Sequence, residues 1–365
     1  MRILHTSDWH LGIQLHGISL LDDQRKMIEQ LAEHIHKEQI DVVILAGDIF
    51  DHAIARPEAV KLYTDAMTLF CRDCNRPVLL CAGNHDGAER LSMCSALLQK
   101  SGLYIVGRLQ DSLEPILLGD TAFFLLPYFN ADEARALYPQ DNIRGMAEAM
   151  QAVLSRLHPV QGYRNLLIGH CFVAGAVASE SDRAAMVGGS SRIPTDLFSA
   201  FDYVALGHLH RAQAPAPNIQ YSGSPLQYSF AEAGQQKCAI LLDTVTLKRC
   251  ELPLKAARQL QVLRGNYEAL LMQLRLSGGC QDYLKIELTD TPAGLDKLEQ
   301  LRVLCPNLLL LTGTTPQGSR TTLTVEQLSA LSPTDLMTHF YEEIAGGQPD
   351  EEQKSWFEAA LLEEE

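Results

Sequence analysis

Five short runs of apolar residues, each stopped by one polar residue, punctuate the N-terminal part of the chain. Ile3 and Leu4 lead to Asp8, Val42–Gly47 to Asp48, Val78–Gly83 to Asn84, Asn165–Gly169 to His170, and Tyr203–Gly207 to His208. Runs this short, rich in aliphatic residues and ended by turn residues, predict buried strands. Helical spacing fills the gaps, from Leu21 to Gln39, Glu58 to Cys71 and Ala88 to Lys100. Strands alternating with helices predict an α/β core. In such sheets the ligand crevice lies outside the carboxyl ends of the strands, so polar residues at five strand ends can converge on one place. Gly47, Gly83, Gly169 and Gly207 each precede one of these residues and permit a sharp exit from the strand.

Beyond Leu254 the pattern changes to strand, helix, strand over Tyr283–Asp290, Ala293–Cys305 and Asn307–Thr314. The organisation expected is a main domain at 1–254, a small α/β capping domain at 255–330 and an acidic helical tail at 331–365. In the tail, Ser332-Pro333-Thr334-Asp335 is a helix start, and Leu336, Met337, Phe340, Tyr341 and Ile344 mark one face before Gly346-Gly347. Trp356, Phe357, Ala360 and Leu361 repeat that spacing in a second short helix.

Composition narrows the class. A chain of 365 residues with 46% hydrophobic and 21% charged residues is neither disordered nor collagen-like. No apolar run reaches the roughly 18 residues of a membrane span, and the start lacks a signal-peptide core, so a cytoplasmic location is expected. The nine cysteines read as reduced thiols, and Cys71 and Cys74, lacking a second matching pair, read as a helix end rather than a zinc site. The net charge of -15 argues against gripping nucleic acid by a uniformly basic surface. Ten of the acids, however, fall between Asp335 and Glu365 beside the single Lys354, and screening over about 8 Å leaves room for a local cationic site elsewhere.

The chemistry lies at the strand ends. With His10, two residues beyond Asp8, and His210, two beyond His208, the crevice gathers seven candidate ligands: Asp8, His10, Asp48, Asn84, His170, His208 and His210. If these segments are extended, residues i and i+2 share a side, which pairs Asp8 with His10 and His208 with His210. Imidazole with carboxylate suits manganese, iron or zinc. Seven ligands suit two ions rather than one, and an ion pair about 3.5–4 Å apart clamps the attacking and leaving oxygens of a phosphoryl displacement. Two divalent ions against two aspartates would leave the pocket positive inside an acidic protein. His5, His16, His34, His36, His52, His158 and His339 fall outside these motifs and read as structural or surface residues.

Asp8-Trp9-His10, Gly47-Asp48, Gly83-Asn84-His85-Asp86, Gly169-His170 and Gly207-His208-Leu209-His210 together resemble the calcineurin-like binuclear metallophosphoesterases. Within them, the Leu11-Gly12 continuation, Tyr221-Ser222-Gly223-Ser224-Pro225 and a later Lys237 are similar to the nuclease subunits of SbcCD-type complexes. The resemblance implies a four-layer α/β/β/α sandwich. It implies two manganese ions, one held by Asp8, His10, Asp48 and His210 and the other by Asp48, Asn84, His170 and His208, with Asp48 between them. It implies His85 as general acid, oriented by Asp86, because an imidazole titrates near working pH. The activity implied is that of a DNA repair nuclease, 3′ to 5′ on duplex ends and endonucleolytic on single strands and hairpins. Some relatives carry a DNA-handling histidine where this chain has Asp51, so that role is not carried over.

Arg56, Arg90, Arg192 and Arg211, each in a loop near a motif, are the candidate phosphate contacts. The partners implied are DNA, an SbcC-type coiled-coil ATPase docking on the tail, and a second copy of the chain packed through helices 58–71 and 88–100. The alternative function is a phosphodiesterase or phosphatase of the same superfamily acting on nucleotides or small phosphoesters. A metal-free scaffold is the third reading, disfavoured by the complete ligand set.

Overall fold

The computed structural model describes residues 1–179, 192–314, 331–345 and 347–362. It forms two compact units, Met1–Gln261 and Val262–Glu365. The first begins β1 (Arg2–Thr6), β2 (Gln14–Leu15), β3 (Ile18–Ser19), α1 (Leu21–Lys37), β4 (Val42–Ala46), α2 (Pro57–Thr68), β5 (Val78–Cys81), α3 (Ala88–Leu91), α4 (Ser95–Leu98) and β6 (Leu103–Val106). It continues with β7 (Ile116–Leu118), β8 (Thr121–Leu126), α5 (Ala131–Leu137), α6 (Met146–Leu154), β9 (Arg164–His170), β10 (Tyr203–Gly207), β11 (Gln213–Ala216), β12 (Ile219–Tyr221), β13 (Lys237–Asp243) and β14 (Arg249–Leu254). Strand β15 (Leu260–Gly265) carries the chain into the second unit, which adds α7 (Tyr267–Leu276), β16 (Tyr283–Leu288), α8 (Leu295–Leu304), β17 (Leu308–Thr312), α9 (Pro333–Ala345) and α10 (Glu351–Leu362).

Two six-stranded sheets build the first unit, in the orders β14-β13-β1-β4-β5-β6 and β11-β12-β10-β9-β8-β7. Strands β1, β4, β5 and β6 are parallel, as are β8, β9, β10 and β12, so the carboxyl ends of the motif strands lie along common edges. Strand β4 is buried at all five positions, which explains its unbroken apolar sequence: a parallel strand covered on both faces has no polar side. Ile3, Ile44 and Leu79 of one sheet meet Phe123, Ile168 and Tyr203 of the other in a single core. The far side of the second sheet, with Phe124, Leu167 and Val204, packs on Ala149, Met150 and Val153 of α6. Helices α1 and α2 lie together and bury Met27, Leu31, Ala59, Leu62 and Ala66. The result is a helix, sheet, sheet, helix sandwich in which each fully buried aliphatic side chain contributes about 1.5–3 kcal/mol.

Two helices differ from expectation. The segment 88–100 is not one helix: α3 and α4 are single turns followed by a 3₁₀ turn at Gln99–Ser101. Cys94 sits at φ +60, and a left-handed residue cannot continue a right-handed helix. Helix α2 runs on into a widened turn at Leu69–Asp73 that contains Cys71 and delivers Cys74 as its cap, an ordinary helix end. Most of the apolar surface of α2 is consumed inside this chain, by Ala59, Leu62, Ala66 and Met67, while Val60 remains exposed.

The second unit has its own core, in which Tyr267, Leu270 and Leu274 of α7 and Leu301 of α8 pack on Leu284, Ile286 and Leu308 of its three-stranded sheet. Helix α9 starts where the sequence signals it, with the Ser332 hydroxyl accepting from the Asp335 amide at 3.1 Å. Leu336, Phe340 and Trp356 of α9 and α10 are exposed. Gly346 and the side chains of Ile344, Ala360 and Leu361 lie outside the described residues. Among the described residues, no helix is long and apolar enough to cross a membrane.

Candidate metal centre

Neither Asp8 nor His10 lies in extended backbone. Their φ angles are +52 and +44, Asp48 has +51 and His208 +99, so four of the seven motif residues leave their strands through left-handed turns. The expected alternation therefore does not apply, and hydrogen bonds set the geometry instead. The Asp8 amide donates to the Gly47 carbonyl and the His10 amide to the Asp48 carbonyl, both at 3.0 Å. Gln24 of α1, fully buried, donates to the carbonyls of Trp9 at 3.0 Å and His10 at 2.8 Å. Two glycines are required by close approach. A Cβ on Gly83 would overlap the Asp48 carboxylate, and one on Gly47, at φ +84, would overlap the His170 ring.

All seven residues meet in one pocket. The Asp8 carboxylate accepts from the His208 amide at 2.9 Å, and its other oxygen is bound by the Ser7 hydroxyl. Ligating atoms of Asp8, His10 and His210 lie within 4.8 Å of one another, and so do those of Asp8, Asp48 and His170. Asn84 Oδ1 lies 3.0 Å from His170 Nε2 and 3.1 Å from His208 Nδ1, joining the two sides.

The partners of each ring nitrogen constrain where its proton can lie. His170 Nδ1 lies 2.8 Å from the Ala46 carbonyl, which can only accept, so the neutral ring carries its proton there and turns a lone pair toward Asp48 Oδ2 at 3.3 Å. His210 Nδ1 faces the Glu232 carboxylate at 3.1 Å, and His10 Nδ1 faces Asp51 at 3.5 Å. His210 Nε2 lies 3.3 Å from His10 Nε2, which is itself 3.6 Å from Asp48 Oδ2, while the buried His10 Nδ1 makes no hydrogen bond among the described residues. Imidazole nitrogens and carboxylate oxygens crowded into one buried space are satisfied by shared protons or by a cation. Protons leave their mark on titration. Burial works to lower the His170 pKa, but the Asp48 carboxylate beside it overrides burial and raises it to about 9. His10 is also raised against burial, by Asp51, Asp48 and Asp8. Burial would raise Asp48, yet the His170 charge and hydrogen bond hold it far below the carboxylate range. Neutral imidazoles and carboxylates at these distances fit divalent cations of the manganese, iron or zinc type.

His85 stands at the mouth, its ring centroid 4.7 Å from that of His10 and its amide donating to Asp48 Oδ1 at 2.9 Å. The expectation that Asp86 orients it is corrected. Both Asp86 oxygens are taken by backbone amides, those of Ile49 at 3.1 Å, Phe50 at 2.9 Å and Gly83 at 2.9 Å. Asp86 thus ties the two motif loops together, and burial, with Asp48 nearby, raises its carboxyl to about 6. The His85 ring is held instead by Asp51, whose backbone carbonyl lies 2.9 Å from Nδ1.

Sequence reading missed Glu232, which is fully buried and touches His210, and gave Asp51 no part in the site. Pattern alone treats an acid in a loop as solvated, since Glu is rarely buried without a partner. Arg56, Arg90, Arg192 and Arg211 are all exposed. Arg192 lies over the Phe172 ring at 5.4 Å, and that ring lies 6.5 Å from His208. On the other side Tyr128 stacks 6.5 Å from His208 and lines a cavity of about 450 Å³.

Sandwich and pocket together define a phosphoesterase of the calcineurin-like class, and a family model of that description, calcineurin-like phosphoesterase, matches residues 1–212. A model described as type 5 capsule protein repressor C-terminal domain matches residues 256–344. The chain belongs to the family of two curated relatives, each named as the D subunit of nuclease SbcCD. One, from Staphylococcus saprophyticus, is 33% identical over 374 residues, covering 100% of this chain and 99% of its own. The other, from Staphylococcus epidermidis, is 34% identical over 317 residues, 85% of each chain. A solved structure, TT1561 of Thermus thermophilus, is a distant likeness at 11% identity and a TM-score of 0.41, covering 70% of this chain and 99% of that one.

Proposed function

We propose that the chain is a manganese-dependent DNA nuclease, exonucleolytic on duplex ends and endonucleolytic on single strands and hairpins, acting as the nuclease subunit of an SbcCD-type repair complex. The observation that carries this is the convergence of imidazole nitrogens and carboxylate oxygens at the ends of β1, β4, β5, β9 and β10, in a chain whose relatives are named as nuclease subunits. Asp8, His10, Asp48 and His210 would hold one ion and Asp48, Asn84, His170 and His208 the other. When bound, such ions supply Lewis acidity toward the phosphate oxygens and the attacking water. The protein's own residues do the rest. Asp48 sets the spacing across the pocket, and His85, with Nδ1 held on the Asp51 carbonyl, keeps Nε2 for the proton that the leaving oxygen takes as its bond to phosphorus breaks.

Incubation of the purified chain with end-labelled duplex and hairpin DNA, with manganese or with chelator, tests the reading. Metal-dependent shortening of both DNAs supports it. Intact DNA together with hydrolysis of a small phosphoester would transfer the site to the alternative phosphodiesterase or phosphatase reading.

Because His170 holds its proton up to about pH 9, an ion bound at Nε2 must displace that proton at neutral pH. Calorimetric manganese titrations in buffers of different ionisation enthalpy should show proton release at pH 7 that fades above pH 9. Pre-formed neutral ligands would release none.

The four arginines are the proposed phosphate contacts, Arg192 foremost because of its place beside Phe172 and His208. Changing Arg192 to Ala should lower the slope of log affinity against log salt by about one unit. An unchanged slope removes it from the interface.

Dimerisation is proposed through α2 and the segment 88–100, where Val60, Met93 and Leu97 leave apolar surface exposed, and docking of an SbcC-type ATPase on α9 and α10. Sedimentation of the full chain and of a chain lacking 331–365, alone and with the ATPase, separates the two surfaces. Dimers from both chains and ATPase binding by the full chain only are expected. Monomers, or an ATPase that still binds the shortened chain, would refute the corresponding surface.

A further inference from the structure

A second layer of chemistry stands behind His210. Glu232, in the one-turn helix Phe230–Glu232, is 0% exposed, and Lys237, at the start of β13, is 7% exposed. The Lys237 ammonium donates to Glu232 Oε2 at 2.6 Å, to the Ser224 hydroxyl at 2.9 Å and to the His210 backbone carbonyl at 2.8 Å. The other Glu232 oxygen, Oε1, faces His210 Nδ1 at 3.1 Å. One buried ion pair thus grips a single histidine at both its ring and its backbone.

We propose that Glu232 is a positioning residue for His210: its carboxylate fixes the ring in the Nδ1–H tautomer, so that Nε2 presents a lone pair beside His10, and Lys237 holds Glu232 in place. The inference rests on reading His210 as a metal donor. Stability alone does not account for the pair. Buried ion pairs give little net stabilisation, because desolvating both charges offsets their attraction, and apolar residues of equal volume often serve as well. A specific job for the carboxylate does account for it. Carboxylates behind ligating histidines set the tautomer and raise the basicity of the donor nitrogen. Here Lys237 uses its three donors on three acceptors, which keeps the carboxylate from swinging toward the pocket and competing as a ligand itself. Sequence order supports one purpose, since His210, Ser224, Glu232 and Lys237 lie in one stretch that wraps the site from β10 to β13.

The test uses the full chain labelled with ¹⁵N-histidine, with His210 assigned by its loss in a His210→Ala variant. Long-range proton–nitrogen correlation should find the His210 proton on Nδ1 both in the metal-free protein and with zinc. A proton on Nε2 overturns the proposal. Glu232→Gln should then weaken manganese binding roughly 10- to 100-fold at one of two sites, with thermal stability measured alongside. In a His210→Ala background the same change should have no further effect on manganese. Wild-type affinity at both sites in Glu232→Gln, or an equal loss in the His210→Ala background, overturns the proposal. A wild-type chain that binds no manganese sinks the metal-centre reading itself, and a proton on Nδ1 in that chain would still separate the two failures.

Discussion

Replacing Asp48 by Asn should lower hydrolysis of a DNA phosphodiester by about 10³-fold or more, a loss of about 4 kcal/mol of transition-state stabilisation, without unfolding the protein. Asp48 is the residue on which both halves of the pocket converge, with His10 and His170 facing one oxygen and the His85 amide bound to the other. Asparagine keeps the shape, tolerates the left-handed φ of +51, and retains an oxygen for the His85 amide, so the loop has no reason to rearrange. The negative charge alone is lost. With it goes the main influence that raises His170, and burial then drives that ring toward its neutral form. Turnover of labelled duplex, manganese titration and the His170 titration by NMR check the three consequences. Activity within tenfold of the unaltered chain would show that Asp48 does not link the two sides.

Changing His85 to Ala should reduce kcat by about 10²- to 10⁴-fold while manganese binding stays close to that of the unaltered chain. The reason is placement: His85 lies at the mouth beside His10, with its Nδ1 on the Asp51 carbonyl, and is not among the residues expected to hold an ion. A proton donor matters in proportion to how badly the leaving group needs a proton. The deficit should therefore be large for DNA, whose leaving alkoxide is poor, and small for a p-nitrophenyl phosphodiester, whose phenolate leaves unaided. Equal losses on both substrates would assign His85 to binding rather than proton transfer.

How far this could be read in advance follows from what each feature depends on. The strand ends were legible because a strand buried on both faces must be apolar throughout, so the first polar residue after it stands out. Val42–Ala46 before Asp48 is the clearest case. The turns were not legible, since nothing local marks Asp8 and His10 as left-handed. Hydrogen bonds from distant chain, such as the Gln24 amide on the Trp9 and His10 carbonyls, accompany those turns. The break at Cys94 belongs with α3 packing on the backbone at Gly107, where Ala88 and Ser92 leave no room for a side chain. Glu232 and Asp51 escaped notice because their roles depend on which histidine nitrogen they face, a fact of geometry rather than spacing. Asp86 was found by motif but given the wrong task, and its three backbone donors show it tying the two loops together.

Anomalous diffraction from crystals soaked in manganese tests the central claim most directly, since the imidazole nitrogens and carboxylate oxygens gathered at the strand ends are read as donors to two cations. Two peaks about 3.5–4 Å apart on either side of the Asp48 carboxylate, one beside His10 and His210 and the other beside His170 and His208, are the result expected. A saturated crystal with no peak there, or with His10 and His210 turned away from a single ion, would contradict it.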